Sequence, residues 1–173
     1  MRFGARDIQP LVLEAARGFP ALVLTGPRRA GKTTLLRMVS GIIKPDAGRI
    51  VVHGMTAPLL ALGAGFNPVL TGRENIYVNM FILGASEEHI SKSFEAVVDF
   101  AEIEDAIDAP VQTYSSGMIS RLGFACAIHV VPQILIVDEV LSVGDMRFRA
   151  KCYRKLAELR RAGTSILLVS HNR

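Results

Sequence analysis

Eight residues, Gly26-Pro27-Arg28-Arg29-Ala30-Gly31-Lys32-Thr33, have the spacing G-x-x-x-x-G-K-T. Glycines in such a run let the backbone curl until successive N–H groups point at one anion. A helix that follows adds the positive end of its dipole. The chemistry this suits is the binding of a phosphate chain. The amides of 26–31 would cradle the oxygens, Lys32 would meet the β- and γ-phosphates, and the Thr33 hydroxyl, with Thr34 beside it, would ligate Mg²⁺. The competing reading is a glycine turn with a chance lysine.

Three further clusters bear on the same chemistry. Ile134-Leu135-Ile136-Val137 runs into Asp138-Glu139. Asp138, at the end of a buried strand, would hold Mg²⁺ through water, and Glu139 would polarise an attacking water. The other reading is a strand-end acid capping the next turn. Tyr114-Ser115-Ser116-Gly117-Met118 puts two hydroxyls and a glycine at a helix start, where a phosphate can sit. Alone it reads as an ordinary serine N-cap. Its place about 20 residues before Asp138 favours the phosphate role. His171, in Ser170-His171-Asn172, follows an apolar run and could touch a γ-phosphate from a neighbouring strand end. A lone strand-end histidine is otherwise a surface residue.

These groups need strands and helices to hold them. Ala21–Thr25 reads as a buried strand entering the glycine loop, and Thr33–Gly41 as a helix with a glycine stop. Arg49–His53 reads as a strand closed by Gly54, and Leu59–Leu62 as a second short apolar run before glycine-rich Gly63–Phe66. Thr71-Gly-Arg-Glu74 has capping-box spacing and predicts a helix through Ile76–Leu83 that stops at Gly84. Ser86-Glu87-Glu88 opens another, with Ile90, Phe94, Val97, Val98 and Ala101 on one face, and Pro110 ends that block. Ser116-Gly117 opens a helix through Leu122, Phe124, Ala125 and Ile128 that Pro132 ends. Ile134–Val137 is a strand, about 147–162 a basic amphipathic helix, and Thr164–Val169 the last strand. Strands that alternate with helices predict an α/β fold with a largely parallel sheet. The helices of about 73–131 form an inserted helical subdomain.

Composition fits one such domain. The chain has 173 residues, 50% of them hydrophobic, 6% aromatic and 21% charged. That excludes disordered, collagen-like and disulfide-scaffold classes. The net charge of +4 favours anionic partners but does not imply nucleic acid, and none is expected. Charge is uneven: 1–50 and 147–161 are basic, whereas 86–108 is acidic. Two cysteines, Cys126 and Cys152, in no metal-ligand spacing, suit a reducing compartment. No signal peptide and no apolar run long enough to span a membrane are visible.

The order of these motifs resembles the nucleotide-binding subunit of ATP-binding cassette (ABC) transporters. Leu141-Ser-Val-Gly-Asp145 looks like the D-loop of that family. Residues 62–76, Thr113–Met118 and Asp138–Asp145 resemble the ATPases that export O-antigen, teichoic acid and capsule-type polysaccharides, and the resemblance covers about 38–173. It implies a P-loop NTPase fold, ATP and Mg²⁺ as ligands, and a head-to-tail homodimer closed by ATP. Gly26–Thr33 of one copy would face Ser115–Gly117 of the other. Glu139 would be the general base, His171 the γ-phosphate switch, and Lys32 the third catalytic group. An integral membrane permease would bind the helical subdomain and the loop near 62–72. The ATPase would sit in the cytoplasm, peripheral on the inner face of the plasma membrane.

Departures set alternatives beside that reading. The family's loop usually carries Gln or Glu near Ala61 or Leu62, and both positions here are apolar. Residues 1–37 resemble the phosphate-loop segment of AAA-type archaeal ATPases instead. The strands and adenine-stacking aromatic expected before the loop are missing, although Phe3 could reach a similar place. The chain therefore reads as one ABC-type ATPase domain over 1–173, truncated at both ends. The alternatives are an AAA-type ATPase, or a catalytically impaired chimeric or partial nucleotide-binding domain. YSSGM and SVGD argue against the AAA reading, which would need an arginine finger and sensor residues.

Overall fold

Three of the apolar runs become strands of one sheet, β1 (Ala21–Thr25), β3 (Ile134–Asp138) and β4 (Ser165–Ser170), and the fourth strand, β2 (Thr56–Leu59), takes only Leu59 from the Leu59–Leu62 run. Their order is β1-β4-β3-β2, and all three pairings are parallel. The computed structural model describes residues 21–25, 32–59, 63, 65–138 and 144–170. Parallel strands need helical crossovers, which cover both faces and explain why these strands read as continuous apolar runs.

The two faces carry different helices. On one, Leu36 of α1 (Lys32–Val39) packs with Ile136, Leu167 and Val169. On the other, Ala57, Leu59, Leu135, Val137 and Ile166 join a larger core with the remaining helices. Alternation along β3 sends Ile136 to the first face and Leu135 and Val137 to the second, as a period of two requires.

The expected helical subdomain lies between β2 and β3. Its helices are α2 (Gly72–Ile82), α3 (Glu87–Ala101) and α4 (Ser116–His129). Each starts at a hydroxyl cap. The Thr71 hydroxyl accepts from the Glu74 amide at 3.2 Å while the Glu74 carboxylate accepts from the Thr71 amide at 2.8 Å, completing the capping box. Ser86 and Ser115 cap the other two. The predicted apolar face of α3 is buried, and Leu122–Ile128 of α4 is buried on every side. Phe124 is 1% exposed, a burial that contributes about 2–3 kcal/mol. The basic helix follows as α5 (Met146–Arg161), capped by Asp145.

Two expectations need correction. Arg49–His53 is not a strand. Among the described residues no strand runs beside it, and a strand without a partner leaves its backbone groups without a ladder. The edge strand is instead β2, which among the described residues bonds only to β3 and so tolerates Pro58. The helical block also ends before Pro110. Helix α3 stops at Ala101, and two short 3₁₀ turns, Glu104–Ala106 and Val111–Thr113, carry the chain to Tyr114.

Candidate functional site at the carboxyl edge of the sheet

The register fixes where the predicted groups emerge. Thr25 is paired with Ser170, and Asp138 with Val169. The carboxyl ends of β1, β3 and β4 are therefore level at one edge. Each leads directly into a predicted segment: 26–31 after Thr25, Glu139 after Asp138, and His171 after Ser170. In open parallel sheets this edge is where ligands bind.

Helix α1 begins at Lys32, so Lys32 and Thr33 open a helix that starts one loop beyond β1, and Thr34 is exposed. No acidic residue lies in its first turn. Gly26, Pro27, Arg28, Arg29, Ala30, Gly31, Glu139 and His171 lie outside the described residues, as do Ala61, Leu62 and Phe3. Asp138 is the last residue of β3. A hydroxyl at 33 and a carboxylate at 138, both oxygen donors, fit a hard cation such as Mg²⁺. Among the described residues no group of three or more His, Cys, Asp or Glu gathers into a separate metal site.

The Ser115–Gly117 turn is on the opposite side of the sheet from α1. Helix α4 belongs to the core that includes Leu135 and Val137, whereas α1 packs on Ile136. Ser115 has the extended backbone of an N-cap, and its hydroxyl accepts from the Met118 amide at 3.2 Å. The serine-cap reading is thus correct, and it leaves the Ser115 proton free to donate outward. Ser115 and Ser116 are both exposed. No acidic side chain in the first turn of α4 offsets its dipole. A Cβ at Gly117 would meet only the Ser115 Oγ, at 3.8 Å. Packing among the described residues therefore does not demand a glycine there.

The turn is held from beneath. Tyr114 is buried, and its hydroxyl donates to the Ala106 carbonyl at 2.6 Å. Burial raises its pKa above the ordinary tyrosine range. The start of α2 lies against it: a Cβ at Gly72 would fall 2.1 Å from the Tyr114 hydroxyl. Backbone bonds from Gly72 to Ala109, Arg73 to Ile107, Val111 to Leu70 and Gln112 to Pro68 join the 68–73 segment to the one that leads into Ser115. Arg73 and Asp108 add an exposed ion pair at 2.7 Å, and the guanidinium hydrogen bond holds the Asp108 carboxyl below its usual range.

Sequence reasoning missed Asn75. It is fully buried and accepts from the Asn67 amide at 2.8 Å. Its own amide donates to the carbonyls of Asn67, Leu70 and Thr71 at 3.0, 3.1 and 2.9 Å. The signal was a polar residue set beside Ile76 on the inward side of α2. Near it α2 and its approach expose Val69, Phe81 and Ile82, at 72, 68 and 69%. At the far end of α4, burial is the main cause that lowers the His129 pKa.

Comparison with known proteins gives the following. The sequence pattern described as ABC transporter matches residues 16–142, so the match begins well before 38 and takes in 26–33, which corrects the expectation that 1–37 resemble AAA-type ATPases instead. The O-antigen export system ATP-binding protein RfbB of Klebsiella pneumoniae is 46% identical over 165 residues, covering 95% of this chain and 67% of that protein. The teichoic acids export ATP-binding protein TagH of Listeria innocua is 42% identical over 149 residues, covering 86% and 44%. The chain thus spans between under half and two thirds of these relatives' length. A dimeric post-hydrolysis ATP-binding cassette with ADP and phosphate shares the fold, with a TM-score of 0.73 at 20% identity over 88% of this chain and 74% of that one.

Proposed function

This chain belongs to the ABC transporter family, and we propose that within it the chain is the ATP-binding and ATP-hydrolysing subunit of an exporter of cell-surface polysaccharide or lipid-linked glycan. The observation that carries the reading is the level carboxyl edge. Three parallel strands end together, and each hands the chain to a segment with phosphate chemistry. The relatives named for O-antigen and teichoic acid export supply the cargo class.

In this reading the amides of Gly26, Pro27, Arg28, Arg29, Ala30 and Gly31 hold the phosphate chain, with Lys32 on the β- and γ-phosphates. Thr33 and Asp138 hold Mg²⁺, which when bound neutralises charge on the phosphate oxygens. Thr34 supplies a further hydroxyl. Glu139 takes a proton from the attacking water, and His171 contacts the γ-phosphate. Ser115, Ser116 and Gly117 of a second copy close the site head to tail. The exposure of Ser115 and Ser116 and the separation of their helix from α1 by the sheet favour a meeting between copies over one within a chain. The exposed Val69, Phe81 and Ile82 suit an apolar membrane-subunit contact. Docking to such a permease would place the subunit on the cytoplasmic face of the plasma membrane. No helix among the described residues is long and apolar enough to cross the bilayer.

Phosphoryl transfer of this kind rests on positioning and charge, so Lys32→Ala and Glu139→Gln should each lower turnover by about 10²-fold or more. The test is steady-state phosphate release by the full-length protein. Wild-type turnover in either variant would remove the proposed roles, and absence of ATP binding by calorimetry would remove the function itself.

A further inference from the structure

Resting on that reading of the Ser115–Gly117 turn, we propose that Glu102 is a positioning residue: it locks α4 to α5 and so sets how the serine turn is presented to a second copy. Glu102 closes α3 in the left-handed conformation, at φ 58° and ψ 54°. Glycine is the usual residue there, because a Cβ crowds the backbone. A glutamate kept in so costly a conformation points to work for its side chain.

That side chain divides its two oxygens between two helices. Oε2 accepts from Arg121 Nη1 of α4 at 3.3 Å, and Oε1 accepts from Lys151 Nζ of α5 at 3.1 Å. The same ammonium donates to the Asp99 and Phe100 carbonyls, both at 3.0 Å, and so satisfies the open end of α3. Three helices therefore meet at one carboxylate. Its two cations stand in matching places. Arg121 lies six residues past Ser115, the cap of α4, and Lys151 six residues past Asp145, the cap of α5.

Beneath the carboxylate lies an aromatic floor. Phe100 meets Phe124 at 6.0 Å and Phe148 at 5.6 Å between centroids. Arg121 lies over Phe148 at 5.8 Å and Lys151 over Phe100 at 4.9 Å. Both cations are partly desolvated, with side-chain exposures of 24 and 29%. Among the described residues the one ion pair each makes is to Glu102. Without it, both cations lose their ion pair: Arg121 keeps the weaker attraction of Asp145, and Lys151 keeps the two carbonyls at the end of α3. The edge-to-face contacts of Phe148 with Phe100 and Phe124 and the burial of Leu122–Ile128 hold α4 in place, and the carboxylate adds a directional tie between α4 and α5. A rotation of α4 moves Ser115–Gly117, and small misplacements of such groups cost large factors in rate.

The test uses the full-length protein. Glu139→Gln should form an ATP-dependent dimer in sedimentation velocity, and if it does not, the parent reading fails first. With that dimer established, Glu102→Gly is added. Glycine relieves the left-handed strain while deleting the lock, so the melting temperature should stay within about 2 °C. ATP affinity, which rests on 26–34, should stay within about twofold. The dimer dissociation constant should rise about tenfold, and kcat in the Glu139 background should fall about tenfold. Glu102→Asp, which keeps the charge and tolerates the backbone, should recover most of the dimerisation. A dimer constant within twofold for Glu102→Gly overturns the proposal. So does a dimerisation loss that simply tracks melting temperature across Glu102→Gly, Glu102→Asp and the isosteric neutral variant Glu102→Gln.

Discussion

Replacing Gly72 by alanine tests the seat of the serine turn directly. The added methyl would stand 2.1 Å from the Tyr114 hydroxyl and 3.1 Å from both the Tyr114 Cζ and the Ile107 carbonyl. Tyr114 cannot swing away, because its ring is buried and its hydroxyl is bonded to Ala106 at 2.6 Å. The methyl must therefore break that bond or push α2 off the 107–112 segment. Overpacking costs about 1–3 kcal/mol. The lost hydrogen bond and orphaned carbonyl add about 1–2 kcal/mol. Better helix propensity returns under about 1 kcal/mol. The net is about 3 kcal/mol, or about 6–12 °C in melting temperature for a chain of this size. Urea denaturation of a double-mutant cycle isolates the contact. Tyr114→Phe removes the hydroxyl that meets the methyl, so the double variant should be more stable than the two separate losses predict, by about 1 kcal/mol or more. Strict additivity, or a neutral Gly72→Ala, would refute the steric argument and with it the idea that α2 sets the height of the Ser115 turn.

Other outcomes follow from the same coordinates. Asn75→Asp keeps the shape but turns a carboxylate toward three carbonyls, which raises its folded pKa above the unfolded one. The variant should lose about 3 kcal/mol at neutral pH and recover part of it as pH falls toward the ordinary aspartate range, as read by urea midpoints. Asp145 behaves oppositely, because the Phe148 amide bond lowers its folded pKa. Its contribution is present above the unfolded pKa and is lost as pH falls through the folded one. Asp145→Asn should therefore flatten the stability curve between about pH 5 and 2. Burial raises both cysteine thiols, Cys152 up to about 12. Both should react with a thiol reagent at pH 8 far more slowly in the native protein than in urea, and fast native labelling would contradict their burial.

Much of this architecture could be read from residue order, for reasons that are local. Capping hydroxyls at Thr71, Ser86 and Ser115 announce helix starts through bonds that span only three residues. Buried parallel strands such as Ile134–Asp138 announce themselves by composition. Arg49–His53 has strand composition too, but a strand exists only where a neighbour accepts its bonds, and that is a property of distant chain. Pro58 hid β2, since a proline argues against a strand unless the strand lies at an edge. The site divides the same way. Spacing made Lys32 and Thr33 candidates, and the order of motifs raised Asp138 and Ser115–Gly117 above a strand-end acid and an ordinary cap, because phosphate chemistry needs those types in that order. Asn75, Gly72 and Glu102 gave no such signal. Their roles depend on Asn67, Tyr114, Arg121 and Lys151 arriving from elsewhere, and no period or cap encodes that arrival.

The strand order has a further consequence for how the molecule is made. Strand β4 is the last of the four in the chain, yet it lies between β1 and β3. On the ribosome, β1 emerges early, and among the described residues its strand partner is Ile166–Ser170, which comes last. The helices of 72–129 are complete in sequence before that, but the core they join also takes Phe148, Cys152, Leu156 and Ile166, so a half-made chain lacks part of its core as well as its last strand. Arrest of synthesis before residue 165 would leave β1 and β3 without the strand that lies between them, and unpaired strand edges of that kind are a hazard for adhesion between chains.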